Sequence, residues 1–516
     1  MNLGPREKAE AFLKVAKSFR LGALPTEQRH PATGNLAELS RRDPGAALGI
    51  LKKIDLGVLR EVQAHEAELS GLESAIARAF SGGGRVFLYG CGATGRLSIS
   101  VEYFWRLHQT DPAEADRVRG FMSGGDLALV HSIENFEDHP EWGARQLREI
   151  GFREGDLLIC TSEGGETPSV IGCLEEALLH SSVAPYFLYC NPDSILIQEV
   201  ERSRRVIENT AIKKICLFVG PMSLSGSTRL QATTALMLGV ARALLAAGPD
   251  GAPEIESLLS FLEEADLSFL SPFVEEESRI YAAGDFVLYE TNDYGITILT
   301  DTTERSPTFS LLGFENQTNP ERKASLANLS MPLAKDSAEA WRHILKRPPL
   351  ALEWPELNGI AGASRLAGFD FSVQARKQRE ALVAPRAMHV FRIRREGSAM
   401  VFRLNELEHR IDVAKLHPML EHLFLKLLLN MHSTLVMGRM ERFESNVMTW
   451  VKPSNNKLID RAIRYVEFLL ENEGAGGFTY EEIARQLFVE AEGLWGAESV
   501  VMKTVAALKK QRAAGA

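Results

Sequence analysis

The chain has 516 residues, with 58 basic and 68 acidic side chains and a formal net charge of −10. This acidic balance excludes a polybasic protein that wraps nucleic acid. Apolar residues make up 45% and charged residues 24% of the chain, which excludes wholesale disorder, and the length suggests about three domains. Because no long uncharged apolar run occurs, we expect no membrane-spanning helix.

The N-terminal residues and the cysteines indicate a cellular compartment. Residues 1–8 lack the apolar core of a signal peptide, and we expect a cytoplasmic protein. The five cysteines are odd in number and include no CxxC pair. We therefore expect reduced, buried thiols rather than a disulfide framework or a zinc site.

The first half of the chain reads as an alternation of strands and helices. Residues 1–59 are expected to form a helical segment, which precedes a first domain at 60–248. Within that domain, short apolar runs predict four strands, at 85–89, 156–160, 186–190 and 215–219. Helical patterns lie between these runs. Continuously apolar strands alternating with helices predict an α/β fold with a parallel sheet covered on both faces.

A second, degenerate copy of this pattern follows a linker at 246–253. We place it at 255–437, because a strand at 285–289 passes into a helical stretch and a long apolar helix ends the unit. Segments 390–394 and 400–404 predict an edge hairpin. Its arginines at 392, 394, 395 and 403 suggest either a solvated face or a nucleic-acid surface, and we favour the solvated face. Residues 438–516 are expected to be mostly helical.

Three turns rich in glycine and hydroxyl groups follow predicted strands. Ligands of parallel sheets bind beyond the carboxyl ends of the strands, where helix N-termini present free N–H groups. Glycine lets these amides approach an anion closely, and serine and threonine add neutral donors. The turns therefore predict a phosphate cradle. Its candidate residues are Gly92, Thr94, Gly95, Ser162, Gly165, Thr167, Ser225, Ser227 and Thr228.

Other kinds of ligand site lack their required spacing. Segment 90–95 fits GxGxxG, but the acidic residue expected about 20 positions later in a dinucleotide site is missing. No GxxxxGK[ST] motif occurs, so a Walker-type nucleotide site is unsupported. Neither HExxH nor a clustered His/Cys set is present, and we expect no metal and no other cofactor.

Several segments are similar to motifs of one protein family. LPTEQRHPAT (24–33) is similar to TExRNPAT, GCGATGRL (90–97) to GAGTSGRL, and GSTRL (226–230) to GSSRM. GGD (124–126) with IENFED (133–138) resembles GGE with VEGAED, and SNNKL (454–458) resembles SNSKL. These motifs belong to the sugar isomerase (SIS) domain family. The resemblance is to the branch shared by bacterial N-acetylmuramic acid 6-phosphate etherases and the animal glucokinase regulatory protein.

The resemblance covers residues 24–245 well and implies an architecture. The order expected is that of the regulatory protein: two tandem SIS-type doubly wound domains, the second degenerate, and a C-terminal helical lid at 438–516. It also implies that the ligand is a phosphosugar. The etherase is a homodimer, so a fused tandem could act as a monomer with an internal pseudo-dimer or could dimerise further.

The resemblance also implies two catalytic glutamates. In the etherase, two glutamates handle protons during loss of lactate from C3 and addition of water to the resulting double bond. Glu137 matches the glutamate of VEGAED, and Glu304 matches the glutamate of LDASECPPT, which the first unit lacks. We expect both to face one sugar, with Lys457 of the lid closing over it. The acid and base roles stay open between them.

Departures from the family motifs fall where an anion is expected. The etherase segment ASGRTP reads EGGETP at 163–168, so Gly164 replaces a serine and Glu166 an arginine. Two family lysines become Gln231 and Met237. Either the phosphate is held mainly by amides and hydroxyls, or the ligand differs.

Three functions are compatible with these residues. The first is an etherase-like lyase, favoured by the segment at 24–33. The second is a non-catalytic phosphosugar sensor that regulates a sugar kinase, favoured by the tandem organisation. The third, an aldose–ketose isomerase, is disfavoured because no convincing base of that branch is found. We favour the lyase and expect neither nucleic-acid nor membrane partners.

Overall fold

The computed structural model describes residues 4–133, 136–494 and 498–515. Residues 134 and 135 of the predicted glutamate segment at 133–138 lie outside them. Two five-stranded sheets form the centres of two α/β units, and further helices lie at both ends of the chain. The predicted α/β fold with two tandem sheets and C-terminal helices is confirmed.

Four helices precede the first sheet. Helix α3 begins at Pro44 because the Asp43 carboxylate accepts a hydrogen bond from the Ala46 amide at 2.9 Å, and proline suits a first helical position. Helix α3 runs through the predicted boundary between residues 59 and 60. The four helices are α1 (Pro5–Val15), α2 (Leu36–Arg42), α3 (Pro44–Ala64) and α4 (Glu66–Ser81).

The first sheet is parallel throughout and has the strand order β2-β1-β3-β4-β5. The predicted strands are confirmed with shifted ends. Strand β2 was not predicted, because its arginine and glycine interrupt the apolar pattern. The strands are β1 (Val86–Gly90), β2 (Val118–Met122), β3 (Leu157–Thr161), β4 (Tyr186–Tyr189) and β5 (Lys213–Cys216).

Helices cover both faces of this sheet, so the central strands β1 and β3 are buried along their whole length. Burial on both faces explains why these strands read as continuous apolar runs rather than as alternating ones. The helices are α5 (Ala93–Leu107), α6 (Pro112–Ala115), α7 (Pro140–Glu149), α8 (Pro168–His180), α9 (Asp193–Glu199), α10 (Glu201–Glu208) and α11 (Gln231–Leu245).

The second sheet is mixed, with the order β10-β9-β8-β6-β7. Strands β7, β6 and β8 are parallel, and β8, β9 and β10 are antiparallel. The sheet therefore keeps only three parallel strands, which fits a degenerate unit. The strands are β6 (Phe286–Glu290), β7 (Ala327–Ser330), β8 (Met388–Glu396), β9 (Ala399–Leu404) and β10 (Leu407–Asp412).

The predicted hairpin is formed by β8 and β9 and is extended by the edge strand β10. Its arginines form ion pairs: Arg392 with Glu290, Arg394 with Glu396, Arg395 with Glu421 and Arg403 with Glu408. The paired carboxylates neutralise the charges of these four arginines. The solvated-face interpretation therefore fits better than a nucleic-acid surface.

The remaining helices of the second unit flank its sheet and end with the long apolar helix α18. This helix continues to Arg439, past the predicted boundary at residue 437, and contacts α2, α13 and α14. The predicted domain limits stay predictions. The helices are α12 (Ile255–Glu264), α13 (Leu270–Ala282), α14 (Gly295–Phe309), α15 (Ser337–Leu345), α16 (Ala363–Ala367), α17 (Val373–Val383) and α18 (Pro418–Arg439).

Buried ions connect the two units. Arg347, from the segment after α15, donates to Glu102 on α5 at 2.9 Å and to Asp126 at 2.6 Å. It also reaches the Gly120 carbonyl at 3.2 Å. Because all three partners belong to the first unit, this side chain fixes one unit against the other.

Three helices complete the chain, and helix α19 returns to the first unit. Within the described ranges, no helix is long and apolar enough to cross a membrane. The five cysteines are unpaired, as predicted; three are buried and two are partly buried. The C-terminal helices are α19 (Asn456–Asn472), α20 (Tyr480–Ala491) and α21 (Val500–Gly515).

Candidate functional site

The first predicted turn connects β1 to α5. Gly92 has a φ of 58°, a left-handed conformation that glycine adopts without strain. The Thr94 hydroxyl accepts from the Cys91 amide at 3.2 Å and donates to the Cys91 carbonyl at 2.9 Å. A Cβ on Gly95 would lie 2.6 Å from Met122 Cβ, so the turn has no room for a side chain there. The backbone of α5 is thereby held close to the strand end.

The second turn connects β3 to α8. The hydroxyls of Ser162 and Thr167 lie 3.0 Å apart, and Ser162 Oγ accepts from the Gly165 amide at 3.1 Å. Gly165 has a φ of 74°, and a Cβ there would lie 2.7 Å from Leu196. Two converging hydroxyls before the first turn of a helix form the neutral part of an anion cradle.

The third turn precedes α11, and its hydroxyls have different surroundings. Ser225 Oγ donates to the Glu27 carbonyl at 2.9 Å, so it holds the N-terminal segment in place. Ser227 Oγ is buried and has no hydrogen-bond partner in the described part of the chain. Thr228 contributes its carbonyl, which accepts from the Thr233 hydroxyl at 2.9 Å. Ser227 is therefore a hydroxyl of this turn that a ligand could engage.

Glu137 lies on the short 3₁₀ turn Phe136–Asp138, next to the first predicted turn. Its Oε2 atom is 3.7 Å from Cys91 Sγ. Burial raises the pKa of Glu137; Lys457 opposes this rise, and Glu166 adds to it. A raised pKa favours the protonated carboxyl, which is the form that can donate a proton.

Glu304 lies on α14 of the second unit and points to the first unit. Its carboxylate forms an ion pair with Arg96 Nη1 of α5 at 2.7 Å, and 14% of the Glu304 side chain is exposed. The catalytic glutamate implied for the second unit therefore reaches the helix that begins at the first predicted turn. Arg96 pairs with a carboxylate rather than standing free for a ligand.

Lys457 lies in the first turn of α19. The Asn455 side chain caps this helix by accepting from the Leu458 amide at 2.9 Å. Lys457 Nζ donates to Glu166 Oε1 at 2.5 Å, and Arg202 forms a second ion pair with Glu166. Burial opposes the charge of Glu166, but Lys457 and Arg202 outweigh it and hold the pKa of Glu166 at about 2. The lid is thus tied to the second turn.

Helix α19 is also tied to the N-terminal segment at 24–33. Arg461 donates two hydrogen bonds to the buried Glu27 carboxylate, at 2.6 and 3.0 Å, and Arg464 donates a third at 3.1 Å. Burial opposes the charge of Glu27, but the two arginines hold its pKa at about 2. A bidentate buried pair of this kind fixes the orientation of the lid helix.

Glu163 is a site residue that the sequence analysis missed. It is 8% exposed, and its Oε1 atom accepts from the Thr233 hydroxyl at 3.1 Å. Burial raises its pKa to about 7; Glu304 also raises it, and Lys457 lowers it. A buried carboxyl that titrates near neutral pH is a candidate acid–base group. The signal available was an acid where the family motif ASGRTP has alanine.

The boundary between the units contains a small cavity of about 30 Å³. A water-sized site needs about 10–15 Å³, so the cavity has room for about two waters. Arg229 Nη1 bonds Asp301 at 2.9 Å, and Lys426 donates to the Thr234 hydroxyl and the Asn430 amide oxygen at 2.8 Å. The cavity is lined by Ala93, Arg96, Leu97, Ser100, Arg229, Thr233, Met237, Thr300, Asp301, Glu304, Lys426 and Asn430.

The structure relates the two predicted catalytic glutamates through intermediate groups. Glu304 raises the pKa of Glu163, and Lys457 lowers the pKa of both Glu163 and Glu137. Glu137 and Glu304 are therefore linked electrostatically through Lys457 and Glu163. That both face one sugar stays a prediction.

Comparisons with known proteins find relatives of this chain. Residues 69–178 match the family model of the glucokinase regulatory protein N-terminal SIS domain. The N-acetylmuramic acid 6-phosphate etherase of Aliivibrio fischeri strain MJ11 is 34% identical over 219 residues, which are 42% of this chain and 67% of that protein. The etherase of Thermosynechococcus vestitus is 35% identical over 228 residues, 42% of this chain and 66% of that protein.

Among solved structures, the tagatose-6-phosphate ketose/aldose isomerase of Escherichia coli has a TM-score of 0.42 at 12% identity, over 79% of this chain and 98% of that chain. The assignment rests on the sequence relatives instead. At 34% identity over two thirds of a relative, the chain is a member of the relative's family. The chain therefore belongs to the sugar isomerase (SIS) domain family, in the branch of the N-acetylmuramic acid 6-phosphate etherases and the glucokinase regulatory protein.

Proposed function

We propose that this protein is an etherase-like carbon–oxygen lyase that acts on a 6-phosphosugar carrying a lactyl ether. The observation that carries the proposal is the 34% identity to an N-acetylmuramic acid 6-phosphate etherase, of which the chain covers 67%. Glu137 and Glu304, the two positions that match the etherase glutamates, support it. Each borders the edge of the first unit, where Lys457 of the lid also lies.

The proposed reaction needs one proton acceptor and one proton donor. A base removes the proton on the carbon next to C3, and the electrons of that C–H bond form a double bond to C3. The C3–O bond breaks at the same time, and its electrons and a donated proton go to the departing lactate oxygen. Water then adds to the double bond, with its oxygen at C3.

The environments of the two glutamates suggest their roles. Glu137 is assigned as the donor, because burial raises its pKa and so keeps a proton on it. Glu304 is assigned as the acceptor, because its carboxylate is paired with the Arg96 guanidinium. In the proposed arrangement the hydroxyls of Ser162 and Thr167, at the N-terminus of α8, hold the phosphate, and Lys457 lies over it.

The oligomeric state follows from the same proposal. An etherase site built at a subunit boundary is replaced here by one built between two units of one chain, which Arg347 fixes together through buried ion pairs. We propose that a monomer suffices for activity. Light scattering of the active protein should give the mass of one chain, and activity confined to a dimer fraction would contradict this.

The test of the activity is direct. Purified protein is incubated with N-acetylmuramic acid 6-phosphate, and released D-lactate is measured. We expect turnover in the wild type and losses on the order of 10²–10⁴-fold in Glu137→Gln and Glu304→Gln. Glu141→Gln is the matched control, because Glu141 is exposed and pairs with His139 near the same turn. An unchanged rate in either glutamine variant would remove that residue from the mechanism.

A second candidate is a phosphosugar sensor that regulates a sugar kinase. It is favoured by the match of residues 69–178 to the glucokinase regulatory protein N-terminal SIS domain and by the tandem organisation. The same assay separates the two functions. Absence of lactate release, together with tight phosphosugar binding and co-purification of a kinase, would establish the sensor and end the lyase proposal.

A further inference from the structure

The second turn contains an anion of its own where a phosphate is expected. Of the residues 162–167, none is cationic, and Glu163 and Glu166 are acidic. The Glu166 side chain folds back over Gly164: a Cβ on Gly164 would lie 3.2 Å from Glu166 Cγ and 3.4 Å from its Oε1. The carboxylate therefore lies beside the position where the related etherase motif has a serine hydroxyl.

This carboxylate uses the cation that the lid supplies. Lys457 Nζ donates to Glu166 Oε1 at 2.5 Å, and Arg202 pairs with Oε2 from the other side. Glu166 is 3% exposed, so the ion pair with Lys457 is little screened by water. In this arrangement the lid lysine has a buried anionic partner before any ligand binds.

We infer that Glu166 is a built-in competitor of the ligand phosphate for Lys457 and so sets the affinity of the site for phosphorylated sugars. The inference rests on the proposed function, because it takes the ligand to be a phosphosugar held at this turn. A phosphate that binds there meets a like charge, and it gains Lys457 only when Glu166 gives it up.

The competition also explains how the lid is seated. Two ion pairs within the protein, Lys457–Glu166 and Arg461–Glu27, hold α19 against the first unit. Phosphosugar binding then exchanges one partner of Lys457 for another instead of adding a new ion pair, which lowers the gain in affinity that the phosphate brings.

The experiment compares wild type with Glu166→Gln by calorimetry, with N-acetylmuramic acid 6-phosphate, unphosphorylated N-acetylmuramic acid and inorganic phosphate as ligands. We expect Glu166→Gln to bind the phosphorylated sugar and inorganic phosphate at least tenfold more tightly, with little change for the unphosphorylated sugar. Glu176→Gln is the matched control. It removes one carboxylate from α8, the helix that follows the turn, where Glu176 pairs with Arg148 and His180 away from the turn.

A double-mutant cycle tests the part played by Lys457. The gain from Glu166→Gln should shrink when both proteins carry Lys457→Met, because Glu166 and the phosphate then no longer compete for that cation and only the loss of like-charge repulsion remains. Persistence of the full gain without Lys457 would overturn the inference, as would unchanged or weaker phosphate affinity in Glu166→Gln. Should thermal melting show that Glu166→Gln does not fold, Glu166→Met, of similar volume, takes its place.

The design separates failure of this inference from failure of the proposed function. Phosphosugar binding and lactate release in the wild type, with no effect of Glu166→Gln, would overturn the inference alone. Absence of phosphosugar and phosphate binding in both proteins, with no lactate released, would overturn both.

Discussion

Replacement of Arg347 by methionine tests whether the two units share a buried ionic contact. The Arg347 side chain is 4% exposed and donates to Glu102 at 2.9 Å and to Asp126 at 2.6 Å, across the boundary between the units. Methionine fills similar volume but leaves both carboxylates without this cation. Each carboxylate keeps one partner: Arg106 stays 2.8 Å from Glu102, and the Leu350 amide stays 2.6 Å from Asp126.

The expected cost follows from these contacts. Removal of one partner from a buried ion pair costs roughly 3–5 kcal/mol, because an uncompensated charge stays buried. Since Glu102 and Asp126 each keep a partner, the two losses should not add in full, and we expect the free energy of unfolding to fall by about 4 kcal/mol. Urea titration followed by tryptophan fluorescence measures this fall.

The control is Arg60→Met, which removes an exposed pair with Glu263 between α3 and α12. It should cost no more than about 1 kcal/mol. A loss below about 1 kcal/mol in Arg347→Met, or an equal loss in both variants, would refute the view that Arg347 fixes the two units together.

Three further predictions concern the site. Lys457→Ala should weaken phosphosugar binding, and calorimetry that gave the wild-type affinity would contradict its role. Glu27 and Glu166 have pKa values of about 2 against an ordinary 4.5, so each contributes about 3 kcal/mol above pH 4.5 that is lost as the pH falls towards 2. Hydrogen exchange should show α19 loosening in that range, and constant protection would argue against the pairs. For Glu163 the sign is reversed: its pKa of about 7 lies above 4.5, so it destabilises the fold as the pH rises from 4.5 to 7. Glu163→Gln should flatten that decline in melting temperature, and an unchanged slope would disprove the assignment.

The fold could be predicted where local sequence carries the signal. Buried strands such as β1 and β3 read as apolar runs because both of their faces are covered. Strands β2, β7 and β10 could not be predicted. β7 has only the four residues Ala327–Ser330, and β10, at the sheet edge, is mostly polar and does not alternate polar and apolar residues. Such segments become strands because a neighbouring strand pairs with them.

The candidate site, like the fold, has parts that could be predicted from the sequence and parts that could not. Glycine and hydroxyl residues after β1 and β3 marked two of the turns, since the conformation that Gly92 or Gly165 adopts is a local property. The sequence also marked Glu137, Glu304 and Lys457, but only by resemblance to family motifs. The significance of Glu163 was not visible, because its pKa depends on burial and on Glu304.

By itself the sequence determined the alternation of strands and helices, the turns between them and the absence of a nucleotide-binding motif, because each depends on residues close together in the chain. The tertiary structure decided which charges meet. Lys457 pairs with Glu166 across 291 positions, and Arg347 reaches Glu102 across 245. Such pairs form only when folding removes both partners from water, so their partners and their strengths are properties of the packed molecule.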